Sequence, residues 1–174
     1  YLDYGALDSL RKMKAMINKE VRRRQLSDNI KLGQGGIREA EFVVQSLQLI
    51  RGGREPALQE QGLLYNLALL NEMEILPTED VTALRGSYLW LRKVEHCLQQ
   101  FDDKQTQVLP DNTIDKQRLV AILGLTDYAQ FMDQLNIHMD IIHEQFLLLI
   151  GEDASPELQK DEEALSPLED LWQL

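Results

Sequence analysis

The chain has 174 residues, 44% of them apolar and 27% charged, with a formal net charge of −11 and a single cysteine, Cys97. That length supports one core of useful size, and no apolar run reaches the roughly 18–20 residues that a membrane span requires. The acidic balance argues against general duplex nucleic-acid binding, which needs a basic footprint, and a lone cysteine excludes an internal disulfide and fits a reducing, cytoplasmic setting. The chain opens on Tyr1 without a signal-peptide pattern, so it is expected to be a piece of a larger protein with a domain upstream.

Leu7, Leu10, Met13, Ile17 and Val21 recur at three- and four-residue spacing and predict an amphipathic helix over 6–25. Its Arg22-Arg23-Arg24 reads either as a solvated helix end, favourable against the C-terminal dipole, or as a phosphate-binding cluster. Ser27-Asp28-Asn29 breaks the helix, Ile30-Lys31-Leu32 reads as a short extended piece, and Gly33, Gly35 and Gly36 follow. A second helix over 37–50 places Ala40, Val43, Val44, Leu47 and Ile50 on one face, and Phe42 and Leu49 widen that face enough to make the helix central. Gly52-Gly53 ends it. Pro56 permits a new start, and the spacing predicts a third helix over 58–73 through Leu63, Leu64, Leu67, Leu70 and Met73.

Pro77-Thr78-Glu79-Asp80 is a helix-opening signature with Thr78 as N-cap and acids in the first turn. The fourth helix follows with a heptad-like seam of Leu84, Tyr88, Leu91, Val94 or Glu95, Leu98 and Phe101 over about 25 residues. Thr106 to Leu109 reads as short and extended, closed by Pro110-Asp111-Asn112. Thr113 or Asp115 is expected to cap a brief helix ending near Gly124. Thr126 or Asp127 opens the last long helix, whose seam is Phe131, Leu135, His138, Ile142, Gln145 or Phe146, and Leu149, and Gly151 stops it. Residues 152–174 carry eight acids against Lys160 alone and read as an acidic tail or a linker to a following domain. The expected architecture is all-α: an antiparallel helical bundle over 1–151 with a short glycine-rich loop and extended segment, its fourth and last helices being core partners.

The run Lys31-Leu-Gly-Gln-Gly-Gly-Ile-Arg-Glu-Ala-Glu41 concentrates the chemistry. Closely spaced glycines admit positive φ and the close approach of a ligand or another segment, and a loop feeding a helix N-terminus points N–H groups toward an anion. Gly33, Gly35 and Gly36 are therefore a candidate phosphate-approach loop, with a tight packing turn as the alternative. The loop lacks the Lys-Ser/Thr of a P-loop and the spacing of a dinucleotide fold. Glu39 and Glu41 point about 200° apart on a helix, so one looks to the core or a neighbouring domain and the other to solvent or Arg38.

His96, His138 and His143 show no metal-ligand spacing and are expected to be structural or exposed, so no metal site is assigned to the chain. Cys97 has no base nearby and is expected in the bundle interior. There is no G-x-S-x-G and no D-x-D, and Trp90 and Trp172 stand apart, without a stacking platform. As a self-contained enzyme the chain is poorly equipped.

The segment Lys31 to Arg54, continued by Pro56-Ala57-Leu58 and by Leu89-Trp-Leu-Arg-Lys-Val-Glu-His96, resembles the bacterial bifunctional glutamine synthetase adenylyltransferase/adenylyl-removing enzymes. The likeness covers roughly residues 1–151 and is to the helical domain that follows a nucleotidyltransferase domain there and in the related PII uridylyltransferase. With Gln34 and Ala40 it is closer to the N-terminal, adenylyl-removing half. The resemblance implies phosphorolysis of adenylylated glutamine synthetase, tyrosyl-AMP and phosphate giving tyrosine and ADP, alongside the ATP-dependent attachment of AMP by the other half. It also implies Mg²⁺ held by a Gly-Ser…Asp-x-Asp element, which these residues lack and which belongs to the upstream nucleotidyltransferase domain. What this chain is expected to supply is one wall of the cleft: Lys31 and Arg38 for phosphate or developing charge, and Glu39 or Glu41 for positioning a basic residue or the metal shell of the neighbouring domain. The fragment by itself is expected to be inactive. Two other readings stand beside this one: a docking module for the PII signal protein or glutamine synthetase, and a helical spacer.

Overall fold

A computed structural model describes residues 28–102 and 107–150. Its elements are α1 (Ile37–Arg51), a 3-10 turn (Pro56–Gln59), α2 (Leu63–Glu72), α3 (Thr78–Asp102), α4 (Thr113–Leu123) and α5 (Tyr128–Ile150). The expected helix over 6–25, the stop at Gly151 and the acidic segment 152–174 with Trp172 lie outside the described residues.

The fold is the expected all-α bundle. Its three long helices alternate in direction. The contacts Asp80–Gln145 and Ser87–His138 run α3 antiparallel to α5, whereas Glu39–His143 and Phe42–Phe146 run α1 alongside α5 in the same sense. The pair α3/α5 makes the most extensive packing, followed by α1/α5, with the short α2 and α4 filling the flanks. Phe131, Phe146, Ile142, Leu84, Leu91 and Leu98 are completely or almost completely buried where these helices meet. Burying a side chain of this kind contributes about 1.5–3 kcal/mol, which is why the seam residues decide the packing of α3 and α5.

Helix α1 is enclosed on most sides, as its wide apolar face predicts: Ile37, Ala40, Phe42, Val43, Val44 and Leu47 are all buried. Leu49, read from the sequence as part of that face, is instead 66% exposed. At about 100° per residue it falls in line with Arg38 and Gln45, and that stripe is the outward one.

Other expectations are corrected. The predicted helix over 58–73 divides into the 3-10 turn and α2, because Gly62 takes a φ of 109° that continues neither. Gln48 on α1 holds the intervening strand of chain, donating to the carbonyls of Leu58 at 2.6 Å and Glu60 at 3.1 Å. Thr78 does not cap α3 from outside but stands within its first turn, where it accepts from Asn71 at 2.9 Å. Asn112, not Thr113 or Asp115, caps α4, its Oδ1 accepting the Asp115 N–H at 2.9 Å. Gly124 closes α4 in the left-handed conformation at φ 72°. At the start of α5 the Asp127 carboxylate accepts the Gln130 N–H at 2.8 Å, and Gln130 Oε1 accepts the Thr126 N–H at 2.8 Å.

Ile30-Lys31-Leu32 turns rather than extends. The Asn29 side chain accepts the N–H groups of Lys31 at 3.0 Å and Leu32 at 2.9 Å, which folds the backbone back on itself. Residues 107–109, expected to be extended, lie against this turn: Ile30 N–H donates to Gln107 and Leu109 N–H to Asp28, each at 3.0 Å. The pairing amounts to one isolated antiparallel bridge, Asn29 with Val108. Among the described residues no helix is long and apolar enough to cross a membrane.

Candidate functional site

The glycine loop is folded tightly on itself. Gly33 N–H donates to Asn29 at 2.7 Å, Gly36 to Gly33 at 2.9 Å, Ile37 to Ile30 at 3.1 Å, Arg38 to Lys31 at 3.0 Å and Glu39 to Gly36 at 3.0 Å. Gly35 N–H donates to the Glu39 carboxylate at 2.9 Å. The N–H groups of Gly33, Gly35 and Gly36 and of the first turn of α1 are thus spent internally. An anion reaching these glycines meets side chains rather than a free nest of N–H groups.

Gly35 and Gly36 are required by packing. Gly35 has a φ of 70°, and a Cβ there would stand 2.1 Å from the Met139 carbonyl oxygen on α5. A Cβ at Gly36 would stand 2.7 Å from the carbonyl oxygen of Ile30 and 2.8 Å from those of Gly33 and Lys31. The loop therefore seats against α5 at backbone distance.

The two glutamates of α1 diverge as helical geometry demands. Glu39 is 4% exposed, with Oε2 2.9 Å from His143 Nδ1 on α5. Glu41 turns outward and meets Arg38 Nη1 at 3.3 Å, in an exposed pair. Lys31 reaches in the other direction, its Nζ 3.4 Å from Oε1 of Glu95, a carboxylate of α3 that is 1% exposed. Arg92, one turn earlier on α3, donates to the other oxygen of Glu95 in a charge-assisted bond. Lys31 gives Oε1 an ion-pair contact without hydrogen-bond geometry, and that oxygen accepts no hydrogen bond.

Tyr88 stands in the field of these charges. It is half-buried on α3; desolvation raises its phenol above the usual range, the Arg92 guanidinium opposes the rise, and the charges of Glu41 and Glu95 add to it. The charges form two ion-paired groups, Arg38 with Glu41 on α1, and Lys31 with Arg92 about Glu95. Braced on a buried carboxylate, Lys31 and Arg92 can hold an anionic group while presenting little flexible charge of their own.

Of the candidates read from the sequence, Lys31, Arg38 and Glu41 belong to these ion pairs, whereas Glu39 faces α5 instead. Tyr88, Arg92 and Glu95 were not singled out as site residues. Their signal was a charged residue on the apolar seam of α3, since Glu95 alternates there with Val94 and such a residue needs a partner to be buried. His143, grouped among structural or exposed histidines, has a specific partner in Glu39 that no local pattern announces. Cys97 is buried, and desolvation raises its thiol pKa against the lowering effect of Lys93.

These donors do not make a magnesium site. Glu39 and Glu95 are committed to N–H and cationic partners and Glu41 to Arg38. Among the described residues no three His, Cys, Asp or Glu side chains converge to hold a metal ion.

The family profile described as GlnD PII-uridylyltransferase matches residues 11–150. Across all 174 residues the chain is 51% identical to the bifunctional glutamine synthetase adenylyltransferase/adenylyl-removing enzyme of Psychromonas ingrahamii. It is 48% identical over 175 aligned positions to the protein of the same name in Alteromonas mediterranea. In each case the whole chain is covered but spans only 18% of the relative's length.

Proposed function

This chain belongs to the GlnD PII-uridylyltransferase family, and on that premise we propose that it is the helical wall of an interdomain active site in a glutamine synthetase adenylyltransferase, in the adenylyl-removing half. The reaction is phosphorolysis: inorganic phosphate attacks the phosphorus of tyrosyl-AMP on glutamine synthetase, the tyrosine oxygen leaves, and ADP forms. Mg²⁺ and the carboxylates that hold it belong to an upstream nucleotidyltransferase domain, where ATP chemistry in the other half has its counterpart. No step assigned to this chain runs through a metal it holds. Cytoplasmic residence and response to the PII signal protein are part of the same proposal.

The observation that carries it is the pair of cations braced on a buried carboxylate, Lys31 and Arg92 on Glu95, together with exposed Arg38 beside Glu41 at the start of α1. Buried Glu95 orients Lys31 and Arg92, so both cations are placed before substrate arrives, and preorganised charge costs no rearrangement during the reaction. Arg38, with 61% of its side chain exposed, is the cation free to swing onto incoming phosphate. Gly35 serves close approach of the loop to α5 and Gly36 the tight fold of the loop on its own backbone, whereas Gly33 contributes its N–H to Asn29. Their N–H groups are not the phosphate donors.

Arg38→Ala in the full-length enzyme tests this. Phosphorolysis of adenylylated glutamine synthetase is expected to fall about a hundredfold in kcat/KM, while stability changes by less than about 0.5 kcal/mol because the side chain is exposed. Phosphorolysis at the parent rate would remove the proposal. A second reading, docking of the PII protein or glutamine synthetase, is favoured by the exposed apolar side chains Leu49, Ile137 and Leu148. It predicts that Arg38→Ala leaves phosphorolysis intact.

A further inference from the structure

Buried Glu39 takes no part in the ion pairs of Lys31, Arg38 and Arg92, yet two contacts anchor its carboxylate. Its Oε2 accepts the Gly35 N–H at 2.9 Å and stands 2.9 Å from His143 Nδ1. A carboxylate offers only acceptor sites, so Nδ1 carries the hydrogen and donates. Glu39 sits in the first turn of α1 and reaches back to a loop amide, in the manner of a capping box that closes on a residue outside the helix. One turn before His143, the Met139 carbonyl lies directly against Gly35. Helix α5 therefore grips the loop twice, one turn apart: by backbone contact at Met139 and by the His143–Glu39–Gly35 relay. On the far side Lys31 is held to α3 through Glu95. The bonds Ile37 to Ile30 and Arg38 to Lys31 then tie the start of the loop to the start of α1.

We propose that His143 is a positioning residue for the site, fixing Glu39 and through it the loop that places Lys31 and Arg38; this rests on the phosphate-handling role proposed for those two cations. His143 does not touch the substrate. Its place on a long, well-packed helix supplies the rigidity that a loop lacks, and a small displacement of groups handling the reacting phosphate is costly.

Two variants of the full-length enzyme separate positioning from general packing. His143→Leu removes the donor, and His143→Asn keeps an N–H close to the place of Nδ1. Amide hydrogen exchange at Gly35 reads the relay, and steady-state phosphorolysis reads its consequence. In His143→Leu the Gly35 amide is expected to exchange about tenfold faster. Its kcat is expected to drop about tenfold while KM for adenylylated glutamine synthetase holds, and His143→Asn is expected to return both to within about threefold of the parent. Glu39→Gln, which weakens both contacts without removing the acceptor, is expected to fall between the parent and His143→Leu in both readouts, and it carries the test if His143→Leu does not fold. Parent exchange at Gly35 in the disabled variants overturns the proposal. So does fast exchange with parent kcat while Arg38→Ala remains impaired. Parent kcat in both Arg38→Ala and His143→Leu removes the proposed function as well.

Discussion

Gly35 shows how much one missing side chain decides. Its φ of 70° is costly for any residue with a Cβ, and that atom would lie 2.1 Å from a backbone oxygen that cannot rotate away. Gly35→Ala is expected to lower stability by about 2 kcal/mol or more, from the left-handed backbone and the clash together. Gly53→Ala, where a new Cβ meets nothing within 4 Å, is expected to stay within about 0.5 kcal/mol. Urea unfolding of both variants checks the contrast. The glycines were conspicuous in the sequence, but their local chemistry suits a ligand and a packing turn equally well. The choice depends on Met139, far along the chain and invisible to any local pattern. The pairing of Glu39 with His143, 104 residues apart, was hidden for the same reason. The divergence of Glu39 and Glu41, in contrast, follows from helical rotation alone and was readable in advance.

At the scale of elements the sequence was most informative where periodicity is long and its ends are punctuated. The span of α3 and the seams of α3 and α5 follow from apolar spacing, because only the helical period places those side chains together. The misread positions are short-range hydrogen-bond choices. Asn29 folds residues 30–32 into a turn, Gly62 interrupts the third predicted helix, and Asn112 takes the cap that Thr113 or Asp115 was expected to fill. Several polar residues stand within reach of each such position, and propensity does not choose among them. Asn112→Ala is expected to cost about 1 kcal/mol through the lost cap of α4. Thr113→Ala, exposed and without a capping role, is expected to change stability by less than about 0.5 kcal/mol. Thermal unfolding of the two variants distinguishes the cap from its neighbour.

Across the whole molecule, α3 and α5 are joined by a polar contact set inside an apolar seam. Ser87 Oγ lies 3.1 Å from His138 Nδ1, and the imidazole stacks on Trp90 with ring centroids 4.6 Å apart. Burial lowers the His138 pKa from its ordinary 6.5. The unfolded chain therefore binds the proton first. The contribution of His138 to stability is whole above about pH 6.5, is lost as pH falls through that value toward the lowered one, and is level below it. Between about pH 7.5 and pH 5.5 the Tm of the parent is expected to fall further than that of His138→Gln, which has no proton to gain. Equal slopes in the two proteins would show that His138 does not limit the bundle in acid.

The residues by themselves determined the class of fold, the long helices and their apolar seams, and the glycine turn that leads into α1. Each of these is a consequence of local covalent geometry and of the period at which side chains recur. Only the tertiary structure decided that Gly35 seats against Met139, that Lys31 reaches the buried carboxylate of Glu95 on α3, and that Glu39 rather than Glu41 answers to α5. Those outcomes depend on which distant helix lies a few ångströms away, and burial then compels each charged group to find its partner there. The glycine run was legible as a place of close approach, and the approach is made by the backbone of α5.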